Sequence, residues 1–150
     1  MFGKIIPQFL NAKNRLGRLF QTYMIKKDFK VRVKKIKARK KQKIFIIGFN
    51  KTGTTSLEAA LNDLGYISAD QWNFTLMFDQ YIKGEIEFSE ILDYCETGEF
   101  FQDIPFSLFG VWKKVYNRYP DALYILSLRN DSEQWFQSLY KFHSKIFGNG

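Results

Sequence analysis

Gly48-Phe49-Asn50-Lys51-Thr52-Gly53-Thr54-Thr55 constrains this chain more than any other eight residues. The apolar run Lys43-Ile44-Phe45-Ile46-Ile47 precedes it, and Leu57, Ala60, Leu61 and Leu64 follow it at helical spacing. A strand that turns through glycines into a helix leaves the first amides of that helix without intrahelical partners. Those N–H groups, with the positive end of the helix dipole, form a cradle suited to phosphate or sulfate.

The position of the lysine narrows the chemistry. The usual nucleotide-binding version, G-x-x-x-x-G-K-S/T, carries lysine directly after the second glycine. Here Thr54 takes that place and Lys51 lies inside the loop, two residues before Gly53. The positive charge therefore approaches the anion from another side. This argues against an ordinary NTPase and for different group-transfer chemistry.

Beyond the loop, strand-like and helix-like segments alternate. Gly65 is a good residue to end the first helix, and Tyr66 to Ala69 reads as a short strand. Phe74, Met77, Phe78, Tyr81 and Ile82 predict a second helix that stops at Gly84, and Phe88, Ile91, Leu92 and Cys95 a third that ends near Gly98. Phe100 to Ile104 reads as a strand cut off by Pro105. Leu108, Val111, Trp112, Val115 and Tyr119 predict a helix capped by Ser107 and closed by Pro120. Ala122 to Leu128 has the continuous apolar character of a strand buried on both faces. Asn130 and Glu133 suit a capping box for a last helix whose face carries Trp135, Leu139 and Phe142.

Strands separated by helices imply a parallel sheet in a three-layer α/β/α fold with P-loop NTPase-like topology. Ligands bind such a sheet at the carboxyl ends of its strands. Three polar clusters fall there: the loop at 48–56, Gln102-Asp103, and Arg129-Asn130.

Charge divides the chain in two. Residues 1–43 hold 15 Lys/Arg and one acid, Asp28, for a net +14, whereas residues 44–150 carry −6. We therefore expect a basic extension over 1–42, partly helical or disordered, and an α/β domain over 43–150 that is incomplete at its carboxyl end. Within the extension, Leu16, Leu19, Phe20, Tyr23 and Met24 form a helical stripe surrounded by Lys and Arg. It reads either as a helix for an anionic membrane surface or nucleic acid, or as a solvated extension. Nothing in it points to a specific nucleic acid. A single cysteine, Cys95, fits a reducing compartment, so a cytoplasmic, membrane-peripheral location is expected. No apolar stretch approaches the about 18–20 residues that span a bilayer.

The segment Asn50-Lys51-Thr52-Gly53-Thr54-Thr55-Ser56-Leu57 resembles the N-K-T-G-T-T-S-L variant of the donor loop of sulfotransferases that use 3′-phosphoadenosine 5′-phosphosulfate (PAPS). Gln102-Asp103-Ile104-Pro105, Tyr119-Pro120-Asp121-Ala122 and Ile125-Leu126-Ser127-Leu128-Arg129 resemble successive landmarks of the same family, over roughly residues 43–146. The resemblance implies transfer of a sulfuryl group from PAPS to a hydroxyl or amine, without a metal. It implies that Lys51 faces the bridging oxygen on which charge develops as the S–O bond breaks. Asn50, Thr52, Gly53, Thr54, Thr55 and Ser56 would complete the hold on the 5′-phosphosulfate. Arg129 and Ser138 match the family's 3′-phosphate pair. Asn130-Asp131-Ser132-Glu133 contains one residue more than usual, and Ser138 keeps its place if the turn absorbs it. Arg129 also reads as a plain surface charge at a strand end.

The acceptor needs a general base, for which Asp103 and Asp70 are the candidates. Either also suits a helix cap or an ion pair with lysine. His143, deep in the last helix, reads as a surface or boundary residue, and Cys95 lies on an apolar stripe. Two other readings compete with the sulfotransferase: a P-loop kinase or NTPase-like nucleotide-binding protein, and a non-catalytic fragment whose basic leader binds membrane or nucleic acid.

Overall fold

The computed structural model describes residues 28–148; the Leu16–Met24 stripe lies outside them. A helix over 28–39 (α1) precedes β1 (Ile44–Ile46) and α2 (Thr54–Asp63). Next come α3 (Gln71–Ile82) and α4 (Phe88–Tyr94), the latter running into a 3-10 turn at Cys95–Thr97. β2 (Phe100–Phe101), α5 (Val111–Arg118), β3 (Leu123–Ile125) and α6 (Ser132–Phe147) complete the order. The three strands are parallel in the order β2-β1-β3, with Phe45 opposite both Phe101 and Tyr124.

Alternating side chains divide the core between two layers of helices. Phe45 and Phe101 point to one face, where their rings stack with centroids 4.6 Å apart and meet Phe74, Ile91, Phe106 and Val115 from α3, α4, the β2–α5 connection and α5. Ile44, Ile46 and Phe100 point to the other face and pack on Leu57 and Leu61 of α2. The fold is thus the expected three-layer α/β/α arrangement on a parallel sheet.

Several boundaries differ from the sequence reading. Tyr66–Ala69 is not a strand but a single bridge, Ser68 to Phe100. There the Ile67 amide donates to the carboxylate of Glu99 (2.8 Å) and not to a neighbouring strand. β2 ends at Phe101 because Asp103 takes a left-handed backbone (φ 53°) that no strand can continue. Ser107 does not cap α5, which starts three residues later than that cap would place it, behind Gly110 at φ 78°. β3 is an edge strand with Leu123 exposed, and Leu126 and Leu128 beyond it are exposed as well, so the apolar run is not buried on both faces. The cap of α6 is Asp131, which accepts from the Gln134 amide at 2.7 Å. The amide of Asn130 donates to the Gln134 side chain at 3.1 Å, so this reciprocal pair sits one residue later than the Asn130–Glu133 pair read from sequence. Asp70 caps α3, accepting from the amides of Trp72 and Asn73.

Charge sorting ties α1 to this body. Phe29, Arg32, Val33 and Ile36, at i, i+3, i+4 and i+7, face inward and are partly or fully covered. Arg32 donates to the Ser68 carbonyl at 3.1 Å, and Arg39 Nε donates to Glu99 Oε1 at 2.6 Å. Glu99 is only 1% exposed, so Arg39 is the ion that compensates a buried carboxylate. Replacing it leaves that charge alone in the protein interior. Arg39→Ala is expected to lower unfolding free energy by roughly 2–4 kcal/mol, read as a reduced midpoint in urea with tryptophan fluorescence. An unchanged midpoint would show that α1 adds nothing to the fold.

Candidate functional site

The strand order creates the site. The chain leaves β1, pairs on one side as β2, then returns to pair on the other side as β3. A crevice opens where the order reverses, beyond the carboxyl end of β1, and the loop of residues 48–53 occupies it. Gly48 permits this crossing: a methyl there would collide with the backbone and hydroxyl of Ser127, just past β3. Gly53, at φ 97°, then starts α2.

The start of α2 carries no side-chain cap. Its first turn closes with the Ser56 and Leu57 amides on the Gly53 carbonyl, at 3.0 and 3.1 Å. Earlier amides therefore stay available to an anion. By contrast α3, α4 and α6 fill their starts with Asp70, Glu87 and Asp131.

Next to that helix start lies a cavity of about 370 Å³. Asn50, Lys51, Gly53, Thr54, Thr55 and Ser56 line it from the loop and α2, and Asp103 from the end of β2. Arg129 lines it from beyond β3, and Ser138, Leu139, Phe142 and His143 from α6. One volume thus brings together Lys51, Asp103, Arg129 and Ser138 from four segments distant in sequence. Nine of the ten site residues read from the sequence line it.

Thr52 is the exception. It is buried, its hydroxyl donates to the Phe49 carbonyl (2.5 Å), and it shares a hydrogen bond with Ser127 Oγ (2.7 Å). That hydroxyl is therefore used inside the loop and not turned to the cavity. Asp70 is also remote from the cavity lining, at the cap of α3. His143, read as a surface residue, is exposed and yet lines the cavity. Positions 138, 139, 142 and 143 form one stripe of α6, so the cavity follows the helix for more than a turn.

The two cations differ in setting. Lys51 adopts a left-handed backbone at φ 70°, and its Nζ lies 4.0 Å from the centre of the Phe142 ring. A non-glycine residue in that conformation costs about 1 kcal/mol and persists only where surrounding contacts impose it. Arg129 Nε donates to the Lys51 carbonyl at 2.7 Å, which leaves its remaining N–H groups for another acceptor.

Asp103 is the carboxyl of the site, and its Oδ1 is buried without a hydrogen-bond partner, as is Oε1 of the adjacent Gln102. Gln102 Nε2 donates to Glu58 Oε2 at 2.8 Å. Burial pushes the Asp103 carboxyl above its ordinary value of 3.8; Thr54 pulls it back, Glu58 adds to the rise, and Lys51 opposes it. A raised value suits a group that must accept a proton. Cys95, by contrast, is fully buried, its thiol pushed far up by burial, and it takes no part in the site.

Sequence reasoning missed Ser107, Ser127 and Trp135, none of which lines the cavity. Ser107 Oγ donates to Asn50 Oδ1 at 3.2 Å, and Trp135 Nε1 donates to the Asn50 carbonyl at 2.9 Å. Trp135 also meets the Phe49 ring, with centroids 5.8 Å apart. The apolar stripe of α6 carried the only signal for Trp135, and it reads equally well as core.

A family model described as a sulfotransferase domain matches residues 43–149. No curated protein matches the chain.

The folded state holds the Asp103 proton more tightly than the unfolded chain does, because its value is raised. That contribution to stability is complete below the unfolded value and disappears as pH rises through the folded one. Asp103→Asn is therefore expected to raise the unfolding midpoint at pH 7 relative to the parent, with the gap closing below about pH 4. Paired urea titrations at pH 7 and pH 3.5 check this. A lower midpoint for the variant at pH 7 would contradict it.

Proposed function

The chain belongs to the sulfotransferase domain family, and from that premise we propose that it binds PAPS and transfers the sulfuryl group to a hydroxyl or amine acceptor. The observation that carries this reading is the shared cavity of Lys51 and Arg129 beside the uncapped start of α2. Two cations and a fan of amides in one volume suit a ligand with two separate anionic groups.

In the proposed reaction, the acceptor oxygen or nitrogen attacks sulfur as the bond to the 5′-phosphate oxygen breaks. The electron pair of that bond stays on the phosphate. Lys51 and the amides of residues 53–55 face the developing charge, where preorganised donors lower the barrier most. Asp103 receives the acceptor's proton. Its half-buried setting and raised pKa support that role over Asp70, whose carboxylate is occupied as a helix cap. Arg129 and Ser138 would hold the 3′-phosphate, the guanidinium through the N–H groups that Lys51 does not use. No step calls for a metal.

The lysines of α1 support a second element of the reading. Its arginines turn inward, while Lys30, Lys34 and Lys35 stay exposed around an exposed Val31. We propose that this face, together with the Lys and Arg residues of the extension before it in sequence, rests on an anionic lipid surface, with each lysine contributing about 1 kcal/mol. No helix among the described residues is long and apolar enough to cross a membrane.

Calorimetric titration with 3′-phosphoadenosine 5′-phosphate (PAP) tests the donor site. We expect PAP to bind, and Lys51→Ala and Arg129→Ala each to weaken it at least about tenfold, since charge-assisted hydrogen bonds contribute about 1.5–3 kcal/mol. Magnesium-dependent ATP binding with no response to PAP would replace this reading with the kinase one. For the lipid surface, co-sedimentation with phosphatidylserine-containing vesicles should fall at least about tenfold in a Lys30→Glu, Lys34→Glu, Lys35→Glu variant. Equal binding to pure phosphatidylcholine vesicles would count against it.

A further inference from the structure

Three consecutive residues of the anion loop are each tied to the segment that leaves β3. Asn50 accepts at its carbonyl from Trp135 Nε1 (2.9 Å). Lys51 accepts at its carbonyl from Arg129 Nε (2.7 Å), and Thr52 Oγ1 pairs with Ser127 Oγ (2.7 Å). The register runs in reverse, 50 with 135, 51 with 129 and 52 with 127, as a zipper between the loop after β1 and the stretch that runs from the end of β3 into α6. Trp135 and Ser127 do not line the cavity, so their hydrogen bonds act on the loop and not on a ligand. Yet the loop needs such restraint. Lys51 holds a left-handed backbone, and the loop amides beside α2 must converge on one point.

From this geometry we propose that Trp135 and Ser127 are positioning residues that set the loop for the 5′ anion. Arg129 is the middle tooth of the zipper and also a wall of the cavity, so the loop's shape depends on the side chain that faces the second anion. The proposal rests on the donor-site reading above. It adds that the 5′ subsite is made by the segment 127–135 as much as by the loop itself. Removing one of these neutral hydrogen bonds should cost about three- to tenfold in affinity for a 5′-phosphate, and nothing for a 3′-phosphate alone.

The test compares three ligands by calorimetry: PAP, adenosine 5′-phosphate and adenosine 3′-phosphate. Trp135→Phe removes the N–H and leaves a smaller aromatic ring beside Phe49; Ser127→Ala removes only the hydroxyl. For either variant we expect about three- to tenfold weaker binding of PAP and adenosine 5′-phosphate, with adenosine 3′-phosphate unchanged and the thermal midpoint within a few degrees of the parent. Equal weakening of all three ligands would mean a general loss of structure and would overturn the proposal, as would parental binding of all three by both variants. Should Trp135→Phe not fold, Ser127→Ala carries the same test alone. A parent chain that binds none of the three ligands overturns the donor-site reading and this proposal with it. A parent that binds PAP alongside unaffected variants overturns the positioning role only.

Discussion

A loop built as an anion cradle does not hold its own shape. The first amides of α2 lack a side-chain cap, Lys51 holds a left-handed backbone, and two cations line one cavity. Such a loop keeps its shape only if bonds from elsewhere impose it. Those bonds come from residues 127, 129 and 135, and they exist because the end of β1 passes within touching distance of the end of β3. The close contact at Gly48 and Ser127 is therefore the constraint from which the site follows. A larger residue at position 48 would part the two strand ends and separate the loop from its three anchors.

The rest of the fold serves to bring those strand ends together. Phe45 lies in the middle of the sheet and stacks on both neighbours, Phe101 at 4.6 Å and Tyr124 at 5.6 Å. These rings fix the spacing of three parallel strands from the face opposite α2. On the α2 side, Leu57 and Leu61 pack on Ile44 and Ile46, which holds the start of that helix over the end of β1. A buried aromatic row on one face and a branched aliphatic row on the other thus define where the first amides of α2 point. α1 adds a brace from the far edge, through the buried pairing of Arg39 with Glu99 beside β2.

Much of this arrangement was legible in the order of residues, and the limits have physical causes. The strand–loop–helix at 43–64 was read correctly because glycine placement and helical period are local signals; Gly65 ends α2 with φ 73°, as its place in the pattern suggested. Asp103, Arg129 and Ser138 were placed at strand ends or on the following helix from periodicity and from family landmarks, and they line one cavity. Strand lengths were overestimated. The run at 122–128 is apolar apart from Ser127, and Gln102 and Asp103 alone interrupt 100–104; periodicity cannot show that a single left-handed residue, Asp103, stops one strand, or that the other lies at a sheet edge. Tertiary hydrogen bonds were invisible for a similar reason. Trp135 looks like any aromatic on a helix stripe, and only the crossing of β1 and β3 brings its N–H to Asn50. The bond of the Thr52 hydroxyl was invisible on the same grounds, since its partner Ser127 is 75 positions away.

The placement of Lys51 resolves a tension within the site. A cation and a carboxylate that share a cavity would ordinarily pair, and a Lys51–Asp103 ion pair would occupy both groups. Among the described residues none joins them: the ammonium lies over the Phe142 ring instead. An aromatic face attracts a cation without neutralising it, and where exposed it contributes only about 0.5–1 kcal/mol. An arriving anion can therefore draw Lys51 away at small cost, whereas a salt bridge would have to be broken first. Asp103 gains from the same arrangement. With Oδ1 buried and unpartnered, and with Lys51 held by the ring, its carboxyl stays above its ordinary value and keeps its affinity for a proton. Phe142 of α6 thus holds the ammonium without an ion pair to the carboxylate in the same small volume, and each group remains available to a ligand.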